Sequence, residues 1–266
     1  MKIPRGAVLG LVLAALGVHG AVKADVWDAA SNFVDNNSGT GNYVGHGGVQ
    51  VHDLGVQPGP TADEDWYLAV TLGNSSYEVV VDGMTGDLNP PSIALDLVDS
   101  TGSVLTAGSI LPGAFARHVT WENTTNSGGP ASWIRVRGAG CGTGCTTADQ
   151  YTIRFYETTY AVPRFNNAGS QVTVLILQNT NPQNSFTGNA FFWSTTGTLL
   201  ATRAIFLSAH QVLVLNTSTV PGLLGVGGSI TITASEGRYG QLVGKTVALE
   251  PATGFSFDSP MVPKPL

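Results

Sequence analysis

Apolar side chains recur at every second position over short runs, and turn-forming residues separate those runs. Trp66, Leu68, Val70 and Leu72 would share one face of a strand, with Tyr67, Ala69 and Thr71 on the other. The same alternation returns at Tyr77, Val79 and Val81, at Ile93, Leu95 and Leu97, at Ile134 and Val136, and at Tyr151, Ile153 and Phe155. Period two is the signature of a half-buried strand. Gly73-Asn74, Asp82-Gly83, Gly86-Asp87, Asn89-Pro90-Pro91 and Thr101-Gly102 mark the turns between them. Short strands at such spacing predict an antiparallel sandwich or barrel. With 34 glycines and 14 prolines in 266 residues, the chain is interrupted too often for long helices, while 42% hydrophobic residues suffice for a core.

A second block of strands follows Ala161-Val162-Pro163. Val172 to Leu177 is apolar on both faces, as a central strand between two packed layers would be. Phe191-Phe192-Trp193, Ala204 to Leu207, Val212 to Leu215, Ile230 to Ile232 and Val247 to Leu249 complete it, with Gly225, Gly227 and Gly228 read as a turn. One hairpin is echoed between the blocks: Leu97 to Leu105 and Phe192 to Leu200 both read as strand, polar turn ending in Gly, strand. The expected class is all-β, two tandem antiparallel β-sandwiches over residues 25–162 and 163–266.

The first 24 residues read as a secretory signal peptide. Lys2 and Arg5 precede an apolar run from Gly6 to Val18, and Val22-Lys23-Ala24 offers a cleavage site. The run is shorter than the roughly 20 residues of a membrane span, so no span is expected in the mature chain. Export, to the periplasm, cell surface or medium, follows. It also permits a disulfide between Cys141 and Cys145, because the glycines in Cys141-Gly142-Thr143-Gly144-Cys145 let the chain curl to the required separation.

Only 11% of residues are charged, against roughly 25% in an average domain. A basic nucleic-acid binder and a charged coiled coil are excluded. The charge is uneven: residues 25–162 hold four arginines against 15 acids, net −11, whereas residues 163–266 are net +2. Such a break supports a domain boundary, and the acidic half favours cations.

Asp63-Glu64-Asp65-Trp66-Tyr67, then Tyr77-Glu78-Val79-Val80-Val81, then Leu95-Asp96-Leu97-Val98-Asp99-Ser100-Thr101-Gly102, with the Tyr151-Thr152-Ile153-Arg154 strand at the end, resemble the bacterial pre-peptidase C-terminal domain over residues 60–160. The resemblance implies a jelly-roll-like sandwich that aids secretion or binds polymers. It also implies calcium beside the acidic strand start, with Asp63, Glu64, Asp65, Asp96 and Asp99 as candidate oxygen ligands. The competing account is a solvated, charged strand end that blunts edge pairing.

Catalytic signatures are missing. No G-x-S-x-G elbow and no H-E-x-x-H helix occurs, and no carboxylate pair stands out as a glycosidase would need. Binding is the better expectation. If Ile134 and Val136 point inward, Trp133, Arg135 and Arg137 point outward together, where they could stack on a sugar ring or catch an acidic group; alternatively the arginines pair with nearby acids. The chain thus reads as an exported, non-catalytic protein that recognises a polysaccharide or a surface protein. Self-assembly, driven by the opposed charges of the two halves, is one alternative. A small secreted hydrolase using His118 or His210 is the other.

Overall fold

A computed structural model describes residues 35–55, 63–129, 131–139 and 144–264 of the chain. The expected leader and Cys141 lie outside them. Eighteen β-strands and one short 3-10 turn make up the regular structure among the described residues, and no helix there is long and apolar enough to cross a membrane. The fold is all-β, as the alternation predicts.

The first nine strands are β1 (Val49–Asp53), β2 (Glu64–Ala69), β3 (Ser75–Asp82), β4 (Ile93–Val98), β5 (Val104–Ala107), β6 (Ser109–Ile110), β7 (Arg117–Asn123), β8 (Ser132–Gly138) and β9 (Gln150–Glu157). They form two sheets ordered β1-β9-β3-β7-β6 and β2-β8-β4-β5. The pairing is nested: the first strand pairs with the last, β2 with β8, β3 with β7, and β4 with β5 across a hairpin, all antiparallel. This is a double-sheet jelly roll, in which a long hairpin is wound into two layers. Tyr67, Val79, Val81, Leu95, Ile134, Val136, Tyr151 and Ile153 fill the space between the layers.

The next nine are β10 (Tyr160–Asn166), β11 (Val172–Asn179), β12 (Phe186–Ser194), β13 (Leu199–Leu207), β14 (Val212–Asn216), β15 (Gly227–Glu236), β16 (Leu242–Glu250), β17 (Phe255–Pro260) and β18 (Val262–Pro263). Their sheets run β13-β12-β15-β10-β18 and β14-β11-β16-β17. The nested pairs β11·β16 and β12·β15 recur here, but β12–β13 and β16–β17 stay together as hairpins. A second core, with Phe165, Leu175, Leu177, Phe186, Phe192, Ile205, Leu207 and Ile232, lies between these sheets.

Two local expectations change. Val172, Val174 and Ile176 are only half-buried, while Leu175 and Leu177 reach the core, so β11 is covered on one face rather than two. Gly227 and Gly228 belong to β15 rather than to a turn. The echoed hairpins do share one geometry. Asp99 Oδ1 accepts from the amides of Thr101 and Ser103, Ser194 Oγ accepts from those of Thr196 and Thr198, and Gly102 and Gly197 take φ of 83° and 80°. That left-handed backbone is what only glycine adopts without strain.

The sandwiches meet where the outer face of β3 and β7 packs on β15. This explains why Ser76 and Glu78, polar residues on a strand, are buried. Ser76 Oγ accepts from the Ala234 amide at 2.9 Å, and Lys264 Nζ donates to Ser75 Oγ at 2.7 Å. Glu122 accepts from Asn189 Nδ2 at 2.9 and 3.2 Å and from the Thr233 hydroxyl.

Glu157 is buried at this junction, with Lys264 Nζ 3.8 Å away. Burial pushes its carboxyl above the ordinary value of 4.5, against the lowering effects of Thr159 and Lys264. A carboxyl raised on folding stabilises the fold below its unfolded pKa, and that contribution is lost as pH rises through the folded value. Glu157→Gln should therefore have a higher Tm than the parent at pH 7, with the gap closing towards pH 4.5. Thermal melts across that range check it; a constant gap would show that ionisation of Glu157 is not its source.

Candidate functional site

Strand alternation divides the five expected cation ligands. Glu64 and Trp66 lie on the outer face of β2, and Asp65 and Tyr67 on the inner, because neighbours on a strand point to opposite sides. Asp96, on the outer face of β4, accepts from Arg135 Nη2 at 3.3 Å and Arg137 Nη2 at 3.4 Å. Arg135 also approaches Glu64 at 3.9 Å and lies 5.7 Å from the centre of the Trp66 ring. Asp99 holds its own turn, and its hydrogen bonds from Thr101 depress its pKa. Asp63 is buried at the start of β2. The five do not converge on one cation.

Trp133, Arg135 and Arg137 do point outward together, yet they do not form an open platform. Trp133 is 8% exposed and packs with Trp66, Val98 and Leu68 as a small satellite core on the outside of the sheet. The Gly102 turn covers it: a Cβ there would sit 3.4 Å from the Trp66 ring and 3.5 Å from Arg135 Nη1. Arg135 is buried against its acids, and only the Arg137 side chain is substantially accessible. Cys145 is buried, and the expected bridge to Cys141 extends outside the described residues.

The inner side of β2 carries polar chemistry. Asp65 and Asp35 are both 0% exposed and His52 of β1 is 2% exposed, and one ligand atom of each lies within 4.8 Å of the others. The Tyr151 hydroxyl donates to Asp65 Oδ2 and sits 2.6 Å from the Tyr67 hydroxyl. Burial first, then the Asp65 charge, hold the Tyr151 phenol well above its ordinary pKa of 10.0, so it stays a donor. Sequence reasoning found Asp65 but missed its partners. Asp35 lies just ahead of the Asn- and Gly-rich stretch from Asn36 to Gly48, which reads as a loop or frayed leader to the first strand, yet its carbonyl accepts from Trp66 N at 2.6 Å, and Asn42 O accepts from Leu68 N at 2.9 Å. That stretch runs alongside β2 and covers its edge.

A cleft of about 600 Å³ opens between the sandwiches. Tyr156 of β9 and Tyr239, in the loop between β15 and β16, stack there with centroids 4.8 Å apart and planes at 12°. The exposed Phe115, the Arg154–Asp82 pair (2.8 Å) and the amides of Asn181 and Gln241 add to the lining. Glu78 anchors the loop: it accepts from Tyr239 N at 2.8 Å, meets His118 Nδ1 at 3.1 Å, and lies 4.0 Å from Arg238 Nε. A neighbouring cavity shares Leu111, Arg238 and Gln241 with it and is lined by His118 as well. His210 instead sits in a tight turn with φ of 58°. No local pattern marks Tyr156 and Tyr239 as partners, since they meet only when the sandwiches dock.

No family model matches the chain, and no curated protein matches it. Among solved structures, it is similar at 11% identity and a TM-score of 0.19 to a Bacteroides uniformis beta-glucuronidase, over 73% of this chain and 26% of that one. A putative beta-galactosidase from Bacteroides fragilis gives 11% identity and a TM-score of 0.19, over 78% of this chain and 34% of that one. The chain spans between a quarter and about a third of these proteins' lengths. At those scores the likeness carries nothing about function.

Proposed function

We propose that the protein is an exported, non-catalytic binding protein that holds a polysaccharide in the cleft between its two sandwiches. The observation that carries this reading is the Tyr156–Tyr239 stack beside amide and charged side chains in an open interdomain cleft. Clefts between domains are common ligand sites. An aromatic face with nearby polar groups suits a sugar ring, which offers C–H bonds on one side and hydroxyls around its rim. The openness of the cleft suits a chain passing through rather than a small molecule enclosed. In this reading the Cys141–Cys145 bridge is structural, and the outward arginines of β8 brace the sheet.

The test is retention of the full chain on insoluble polysaccharides, with and without a chelator. Binding should survive chelation, and Tyr239→Ala should weaken it by about tenfold, the worth of roughly 1.4 kcal/mol from one stacked ring. Equal retention of parent and variant would remove the cleft from the reading. Absence of retention, with light scattering that rises with protein concentration, would assign the chain to self-assembly through surfaces such as the half-apolar outer face of β11 and β14.

A further inference from the structure

We propose that the outward face of the sheet β14-β11-β16-β17 is a dimer interface, on which a second copy of this chain packs face to face. The junction with the first sandwich is made by β15, which belongs to the opposite sheet. Alternation turns Leu175 and Leu177 of β11 into the second core and leaves Val174 and Ile176 facing out. Register extends that face across three strands. Ile176 lies opposite Val214 of β14, Val174 lies opposite Val247 of β16, and Val243 and Leu249 continue the face along β16. Val214 is 65% exposed and Val243 45%. Monomeric proteins rarely expose a contiguous apolar patch larger than a few hundred Å².

The chemistry of the face selects its partner. Lys245 Nζ and Asp258 Oδ2 pair with each other at 2.5 Å, which draws the lysine head toward β17 at the edge of the sheet. Its stem thereby lies over apolar surface. A face whose charges cancel gives a strongly charged partner nothing to hold. No aromatic ring stands among these outward positions either. Phe255 and Phe257 alternate to the other side of β17, where the Arg164 guanidinium lies 4.5 Å over the Phe257 ring. A sugar would find no stacking surface here. What fits is a flat, uncharged aliphatic surface, and the same face of a second copy is one. A two-fold axis pairs such a patch with itself and closes the assembly at two chains.

The area suffices. Four strands spaced about 4.8 Å apart, with residues about 3.3 Å apart over the length of β11, present roughly 500 Å² per copy. Two copies together bury about 1,000 Å², the size at which a specific interface begins. An apolar centre with its ion pair toward the rim also matches the usual anatomy of an interface. Neither Tyr156 nor Tyr239 belongs to this face, so the dimer does not rest on the polysaccharide reading.

Sedimentation velocity of the full chain over a wide concentration range tests the proposal. The parent should approach twice the mass of one chain, stop there, and stay dimeric in high salt. Val214→Glu and Val243→Glu should each raise the dimer dissociation constant by at least about tenfold, because each buries an unpaired charge in the interface. Val214→Ile, which keeps the face apolar, should remain dimeric. Near-ultraviolet circular dichroism checks folding, and two sites on different strands keep the test decisive if one variant fails to fold. A parent that is monomeric at high micromolar concentration, whether or not it binds lipid vesicles, would overturn the proposal. So would glutamate variants as dimeric as the parent. Masses that grow past two chains and fall with salt would also overturn it, since they mark charge-driven head-to-tail assembly.

Discussion

Gly228→Ala is expected to destabilise the C-terminal sandwich severely. Gly228 lies in β15, opposite Ser194 of β12, at the centre of the five-stranded sheet. A Cβ at that position would stand 1.7 Å from the Trp193 carbonyl oxygen and 2.8 Å from its carbon. Those are backbone atoms of a paired strand and have no rotamer with which to give way. Overpacking a core typically costs about 1–3 kcal/mol when side chains can shift, so this clash should exceed about 3 kcal/mol, a large part of the 5–15 kcal/mol that holds a domain together. Gly188→Ala, whose Cβ would meet the Thr233 carbonyl oxygen at 1.9 Å, should behave alike. The control is Gly197→Ala, where nothing lies within 4 Å and only the left-handed φ of 80° is at stake. It should lose about 1 kcal/mol. Urea denaturation followed by tryptophan fluorescence reports these values through Trp193. A Gly228→Ala variant within 1 kcal/mol of the parent would show that β12 and β15 are not held this closely.

The second large effect is expected at the junction. Glu122 is the one carboxylate that accepts from both Asn189 and Thr233 among the described residues, linking β7 to β12 and β15. Hydrogen bonds to a charged group are worth about 1.5–3 kcal/mol each, so Glu122→Ala should remove about 3 kcal/mol or more of coupling between the sandwiches. Each half has its own core and can persist alone. The parent should unfold in one calorimetric transition and the variant in two, with the interdomain cleft loosened because the Tyr239 loop loses its fixed distance from Tyr156. A single transition at an unchanged temperature in Glu122→Ala would mean that other contacts, such as Ser76 with Ala234, carry the coupling.

Much of this architecture is legible residue by residue. The alternation at Tyr77, Val79 and Val81 assigns β3, its inward face and its partners in type, because side chains of a strand alternate whatever the strand pairs with. The echoed hairpins are legible for the same local reason: an Asp or Ser acceptor followed by Gly at the left-handed position closes such a turn without help from elsewhere. Satellite packing was less visible. Trp66 sits in an apolar pattern and Trp133 alternates outward with Arg135 and Arg137, yet both are buried on the outside of their sheet, under a turn that the pattern alone does not place there. The role of Gly228 was hidden too, since a glycine needed for close approach looks in sequence like a glycine needed for a turn.

The sequence by itself determined the strands, most of their buried faces, the hairpin turns and the acidic character of the first half, all of which depend on neighbours within a few residues. Only the tertiary structure decided which strands pair, and with them everything that depends on distance through space. Nesting of β1 with β9 and β2 with β8 brings His52 and Asp65 to one interior, while alternation sends Glu64 and Asp96 to the opposite side of the sheet. Docking of β15 on β3 and β7 buries Glu78 and sets Tyr239 against Tyr156. The physical reason is that these groups interact over a few ångströms while lying from 13 to more than a hundred residues apart. No local periodicity encodes such a meeting; it follows from burying two apolar cores at once.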